Sequence, residues 1–266
     1  MPQPAHPWRR YVALGDSLTE GLVDPNPDGS PRGWADRFAQ HLADAAGAPV
    51  QYANLAIRGR LLRPIIAEQL EPALALKPDL VSLWGGGNDI LRPRADPDAI
   101  TAELERAVVR LREAGIEVIL GTGIDAKDSP LLSLTRPRTA VFNANLWTIA
   151  QRHGAHVIDV WGMRSLKHWG MWYDDRLHFN SVGHERVSQA ALMAVGLTPR
   201  TGWDDPLPQA PAMAPREWLD WQLTWARDHA GPWIGRRIRH TSSGAGRSAK
   251  FPQYVEVLPQ PADPAE

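Results

Sequence analysis

Tyr11-Val12-Ala13-Leu14-Gly15-Asp16-Ser17-Leu18-Thr19-Glu20-Gly21 opens as an apolar run with β-branched and aromatic content, then breaks at Gly15. The run reads as a buried strand, and the break leaves Ser17 where that strand ends. In an open parallel sheet, ligands bind outside the carboxyl ends of the strands, near the point where strand order reverses. A serine there meets substrate and lies close to backbone N–H groups of the next turn, which favour negative charge. Gly, Asp and Ser are also common turn residues. The stretch by itself therefore fits an ordinary strand-to-helix turn as well.

Outward from it, strand and helix patterns alternate. Trp34, Phe38, Leu42 and Ala45 recur at helical spacing and Gly47 closes that helix. Val50 to Ala56 reads as a second strand. Leu61 to Leu76 reads as a helix with an irregular start at Pro64 and a kink or break at Pro72. Asp79 to Trp84 is a third strand, ended by Gly85-Gly86-Gly87. Asp96 caps a helix that has Pro97 at its first position and a buried stripe of Ile100, Leu104, Ala107, Val108 and Leu111. Glu117 to Leu120 and Ala155 to Val160 are further strands, with helices over Leu134 to Arg152 and Ser181 to Val195. This alternation predicts an α/β fold of three layers, α/β/α, with a five-stranded parallel sheet. The order expected is flavodoxin-like, 2-1-3-4-5, with strand one between strands two and three.

The 266 residues carry a net charge of −1 and no cysteine. Balanced charge gives no field that would draw nucleic acid or a membrane surface. The lack of cysteine excludes a disulfide framework, a thiol nucleophile and cysteine-ligated zinc. No run is long enough to span a membrane. Met1 to Pro7 lacks the apolar core of a signal peptide, so a cytoplasmic protein is expected. Composition changes after Leu197, which divides the chain into a main domain, 1–197, and an extension, 198–266. Pro199, Pro206, Pro208, Pro211 and Pro215 make the extension's first part linker-like. A helix from Arg216 to His229 follows, with Trp218, Trp221 and Trp225 spaced as a stripe that docks on the main domain in preference to stacking on sugars. The stripe leaves a lid, an oligomer contact and plain packing all open. Gly235 to Lys250 carries Arg236, Arg237, Arg239, Arg247 and Lys250 and reads as a flexible, solvated basic tail more than as an anion-binding one.

Three motifs follow three of the strands: Ser17; Asn54-Leu55-Ala56-Ile57-Arg58-Gly59; and Gly86-Gly87-Asn88-Asp89. With strand one in the middle, all three reach one crevice. Acyl transfer needs a nucleophile and N–H donors that meet an oxyanion as its charge develops. The backbone N–H groups of Ser17 and Gly59 and the side-chain amide of Asn88 are such donors, and glycine at 59 lets the backbone approach a ligand closely. A serine hydroxyl also needs a neighbouring base. Asp174-Asp175-Arg176-Leu177-His178 supplies one: Asp175 shares a turn with His178, holding one ring nitrogen and leaving the other for Ser17. Asp174 is the rival orienter and His184 the rival base.

These four blocks, in this order and at this spacing, resemble the SGNH hydrolases, also called the GDSL esterase/lipase family, over about residues 8 to 197. The resemblance implies a three-layer α/β/α fold and cofactor-free ester hydrolysis through an acyl-serine intermediate. It assigns Ser17 as nucleophile and oxyanion donor, Gly59 and Asn88 as the other donors, His178 as base and Asp175 as its orienter. Asp16, Asn54 and Asp89 order the loops, with no metal. The substrate class is a small-molecule ester, with short acyl groups such as acetyl favoured because no long apolar lid is visible. An acyltransferase and a carbohydrate or lipid deacylase of the same family are the near alternatives. Trp161, Trp169 and Trp172 precede the histidine loop and read as core packing before pocket lining. Two readings from other classes compete. A metallophosphoesterase would need several carboxylates and histidines converging, and no paired-histidine or Asp-x-His run supplies them. A non-catalytic ligand-binding module would leave the triad inert.

Overall fold

The computed structural model describes residues 6–129, 132–208, 214–231 and 243–260. Strand β1 (Arg10–Gly15) leads into a single-turn helix α1 (Ser17–Glu20). Then come α2 (Trp34–Ala46), β2 (Val50–Asn54), α3 (Leu62–Ala75), β3 (Leu80–Trp84) and the short α4 (Gly87–Ile90). They are followed by α5 (Pro97–Glu113), β4 (Glu117–Gly121), α6 (Arg136–His153), β5 (His156–Ile158) and α7 (Ser181–Ala194). The C-terminal part contributes α8 (Pro215–Trp225), a π turn over Ala226–Ala230, and β6 (Phe251–Val257).

Alternation along each strand sends its side chains to opposite faces of the sheet. Tyr11 and Ala13 pack with Trp34, Phe38 and Leu42 of α2 and Val187 and Ala191 of α7. Val12 and Leu14 pack on the other face with Ile65 of α3, Leu104 and Val108 of α5 and Leu146 of α6. Helices thus cover both faces, which gives the three layers expected. Asp96 caps α5 as its sequence indicates, its side chain accepting from the N–H groups of Asp98 and Ala99. Helix α3 runs without a break through Pro64 and keeps Pro72 within its last turn.

The sheet has six strands in the order β5-β4-β3-β1-β2-β6. The first five follow the order 2-1-3-4-5 and pair in parallel. The five-strand expectation is corrected by β6, which pairs antiparallel with β2. This segment lies in the 198–266 extension, for which no strand is expected from the sequence, and carries Pro252 at its second position. Proline is tolerated at the start of an edge strand, where one face of the backbone needs no partner.

The basic segment is corrected in the same place. Lys250 is not solvated: its ammonium donates to the Asp36 carboxylate at 2.6 Å, to Glu20 O at 2.7 Å and to Pro31 O at 3.0 Å. All three protons of the ammonium are used, and the last strand is thereby fastened to α1 and α2. Arg247 is exposed. Arg236, Arg237 and Arg239 lie outside the described residues. Replacing Lys250 by Met should leave Asp36 buried without its cation and lower the unfolding free energy in urea by about 3 kcal/mol. Arg247→Met should stay within about 0.5 kcal/mol of the parent.

Candidate active site

Since β1 lies between β2 and β3, the loops that leave these three strands open onto one rim of the sheet. Ser17 stands at the start of α1, whose first turn is capped by Asp16 accepting from the Leu18 N–H at 3.2 Å. The Ser17 hydroxyl is 2.8 Å from Nε2 of His178. Nδ1 of the same ring is 2.5 Å from Oδ2 of Asp175. A carboxylate only accepts, so Nδ1 carries the proton and Nε2 is left to accept from the serine. The other oxygen of Asp175 accepts from the backbone N–H groups of Leu177 at 2.9 Å and His178 at 3.0 Å. Burial would push this carboxyl up, but the hydrogen bond and charge of His178 and these two N–H groups outweigh it and hold it below its ordinary value.

The two rivals stand elsewhere. Asp174 is exposed. His184 is fully buried, with Nδ1 accepting from the Trp34 N–H at 3.1 Å and Nε2 facing Leu22 O at 3.4 Å. Burial pushes its pKa down to about 4, so it is a neutral strut between α7, α2 and the loop after α1.

On the other side of Ser17, Gly59 and Asn88 line the same cleft. Gly59 has φ of 73°, a left-handed conformation that side chains disfavour. The Asn88 amide donates to Oδ2 of Asp16 and to Arg60 O, both at 3.0 Å. Asn54 is fully buried; it donates to Thr19 O and the Tyr52 hydroxyl at 2.8 Å and accepts from the Ala56 N–H at 3.1 Å. Asp89 accepts from the Leu62 N–H at 2.9 Å, which fixes the start of α3. Burial pushes Asp16 up to about 6, against the pull of the Leu18 N–H, the His178 charge and Asn88.

Two supports of this rim carry no signal in the sequence. Gln69 on α3 exchanges two hydrogen bonds with the backbone of Gly15, at 2.9 and 3.0 Å, and so holds the strand end. Glu20 accepts from the Arg58 N–H at 2.7 Å and from its guanidinium, tying α1 to the Gly59 loop. Both sit in segments that read as plain helix or turn, and only their burial singles them out.

The cleft encloses about 670 Å³. Trp172 packs against the core as read and also stands in the cleft wall. Trp169 stands in that wall, which corrects its reading as core, and Trp161 lies under the Arg136 guanidinium, 5.2 Å away. Among the described residues no three His, Asp or Glu side chains converge as metal ligands do.

The family described as GDSL-like Lipase/Acylhydrolase matches residues 13–186. The chain belongs to the GDSL-like lipase/acylhydrolase family. As such it is a carboxylic ester hydrolase. Among solved structures, it is similar to LAE5, an α/β hydrolase from the metagenome of Lake Arreo, at 24% identity and a TM-score of 0.60, over 71% of this chain and 95% of that one. It is also similar to Axe2, an acetylxylan esterase from Geobacillus stearothermophilus, at 20% identity and a TM-score of 0.60, over 73% and 97%. TesA matches at 22% identity and 0.60, over 70% and 98%. At these identities the likeness shows the fold. Comparison with curated proteins gives no match. No helix among the described residues is long and apolar enough to cross a membrane.

The buried His184 has a consequence for the pH dependence of this GDSL-like fold. Its pKa lies at about 4 in the folded state against 6.5 when exposed. Between those values the unfolded chain binds a proton that the folded one refuses. This part of the stability is complete above the exposed value and is lost as pH falls toward the folded one, at up to about 1.4 kcal/mol per pH unit. In urea unfolding, the gap in stability between neutral pH and about pH 5 should shrink in His184→Gln relative to the parent.

Proposed function

We propose that this GDSL-like hydrolase cleaves small, soluble esters with short acyl groups, acetyl among them, through an acyl-serine intermediate carried by Ser17. The observation behind this is the unbroken line of hydrogen bonds from Asp175 through His178 to the Ser17 hydroxyl, 2.5 and 2.8 Å long. His178 takes the hydroxyl proton as Ser17 attacks the ester carbonyl. It then gives that proton to the leaving alcohol, and water repeats the sequence on the acyl-enzyme. Asp175 keeps the ring in the tautomer that leaves Nε2 free and lies against the imidazolium that forms once the proton is taken.

The oxyanion is met by the backbone N–H groups of Ser17 and Gly59 and by the amide of Asn88. In the resting site the Asn88 protons go to Asp16 and Arg60, so the oxyanion shares one of them. Asp16, Asn54 and Asp89 order the loops that carry these donors. The cleft mixes polar lining, such as Asp125, Ser129, Thr135 and Lys167, with apolar lining, such as Ile124, Leu132 and Phe142. That mixture suits a short acyl group on a polar alcohol better than a long alkyl chain. The acetylxylan esterase among the structural neighbours points the same way.

A panel of chromogenic esters of increasing acyl length, run on the parent and on Ser17→Ala, tests both parts. Turnover should be highest on acetyl and butyryl esters and should vanish in Ser17→Ala. Equal turnover by the two proteins would remove the proposal. Asn88→Ala should lower kcat by roughly 10²- to 10³-fold with the fold intact by circular dichroism.

A further inference from the structure

Arg176 lies between Asp175 and His178 and has every mark of a residue held where it would not go by itself. Its φ is 58°, in the left-handed region that a side chain with a Cβ disfavours. It is only 5% exposed, and among the described residues no carboxylate pairs with its guanidinium. Nε and one terminal nitrogen are buried with no hydrogen-bond partner among the described residues; the other terminal nitrogen donates to Oε1 of Gln222 at 2.7 Å. The guanidinium instead lies against aromatic faces. Its carbon is 3.6 Å from the ring centroid of Trp221, 4.7 Å from Trp225 and 5.8 Å from Trp169. A cation sandwiched this way gains from the ring quadrupoles, more so when it is desolvated.

The loop that carries the acid–base pair has little else to hold it. It leaves Trp172 and returns at Phe179, which form an isolated antiparallel bridge. Within it, the Tyr173 N–H donates to His178 O at 2.8 Å and the Arg176 N–H to Tyr173 O at 2.9 Å. From outside, the Trp225 indole N–H donates to Asp175 O at 3.0 Å. Among the described residues, that bond and the one from Arg176 to Gln222 are the hydrogen bonds between α8 and the sheet domain. The rest of the helix gains little by docking, since Trp218, Leu219 and Leu223 are about half exposed or more. Helices in proteins draw most of their stability from packing, so a helix packed at one loop is organised by that loop.

We propose that Arg176 is a positioning residue for the Asp175–His178 pair, and that Trp221, Gln222 and Trp225 of α8 form the clamp that holds it. This rests on the roles proposed above for Asp175 and His178. The clamp fixes the backbone on both sides of Arg176, and thereby the direction in which the Asp175 carboxylate and the His178 ring point. A displacement of about 1 Å at such a site costs on the order of 10²-fold in rate.

The test is steady-state kinetics on a chromogenic acetate ester, with thermal melting of each variant. Arg176→Ala should lower kcat by roughly 10- to 100-fold while KM changes less than about threefold. Arg176→Lys keeps the charge but loses the flat stacking face and the fixed fork of donors, so it should stay well below the parent. Trp225→Phe removes the donor to Asp175 O while keeping a ring and should lower kcat with the same split. Trp218→Ala, an exposed position on the same helix, should behave as the parent. A kcat within twofold of the parent for Arg176→Ala overturns the proposal. So does full activity in Arg176→Lys, which would make charge alone the requirement. If Arg176→Ala does not fold, Trp225→Phe decides by the same criterion. Activity in the parent that is absent in Ser17→Ala, with no effect at Arg176, would defeat the clamp and leave the esterase reading standing.

Discussion

A strand with a neighbour on each side brings three loops to one place, and that adjacency governs the whole site. With β1 between β2 and β3, the turns after Gly15, Asn54 and Trp84 leave the sheet side by side. The serine, the Gly59 loop and Asn88 then need no long excursion to meet. A sheet ordered by sequence would have set β1 at one edge and carried its turn away from the third strand end. The histidine arrives from the far side, on the loop ahead of α7, and is the one participant that strand order does not deliver.

What holds the strand ends in register is a set of buried polar side chains, each satisfied. Gln69 answers both backbone groups of Gly15, Asn54 uses its donors and its acceptor, and Glu20 takes the Arg58 N–H and guanidinium together. A Cβ on Gly15 would stand 2.5 Å from Trp84 O and 2.6 Å from the Thr19 hydroxyl, so the first turn is closed tightly against the third strand. Satisfied networks of this kind specify one arrangement, and a half-satisfied one would be worse than none. Precision at the rim is thus built from hydrogen bonds beneath it, while the two apolar faces supply the bulk of the stability.

The sequence speaks clearly where local chemistry decides and falls silent where partners are distant. Asp96 followed by Pro97 announces a helix start because capping is local. Ser17 and Asn88 stand out because their motifs follow strand ends, which strand order then brings together, and His178 because Asp175 stands three residues ahead of it within one turn. Gln69 and Glu20 have no such signature, since each works through a backbone group on another element. The same holds for Arg176, whose neighbours on α8 lie more than forty positions away in the chain, from Trp221 onward. Strand β6 lies in the extension that reads as linker, helix and tail, and Lys250 among basic residues that read as solvated. In both cases the deciding fact was a contact with the first third of the molecule, beyond the reach of any local pattern.

Strand β6 has a bearing on how the chain behaves while it is being made. It occupies the outer side of β2, and the opposite margin of the sheet is β5, three residues long. Unpaired margins are where separate chains add to one another, and a margin that short offers little template. The covering strand follows every other strand of the sheet in the chain, however. Until it emerges, β2 presents a bare row of amide and carbonyl groups to its surroundings, a hazard met by proteins that fold as they leave the ribosome. Chains cut short before Phe251 would keep that bare row for good, and self-association is their expected fate.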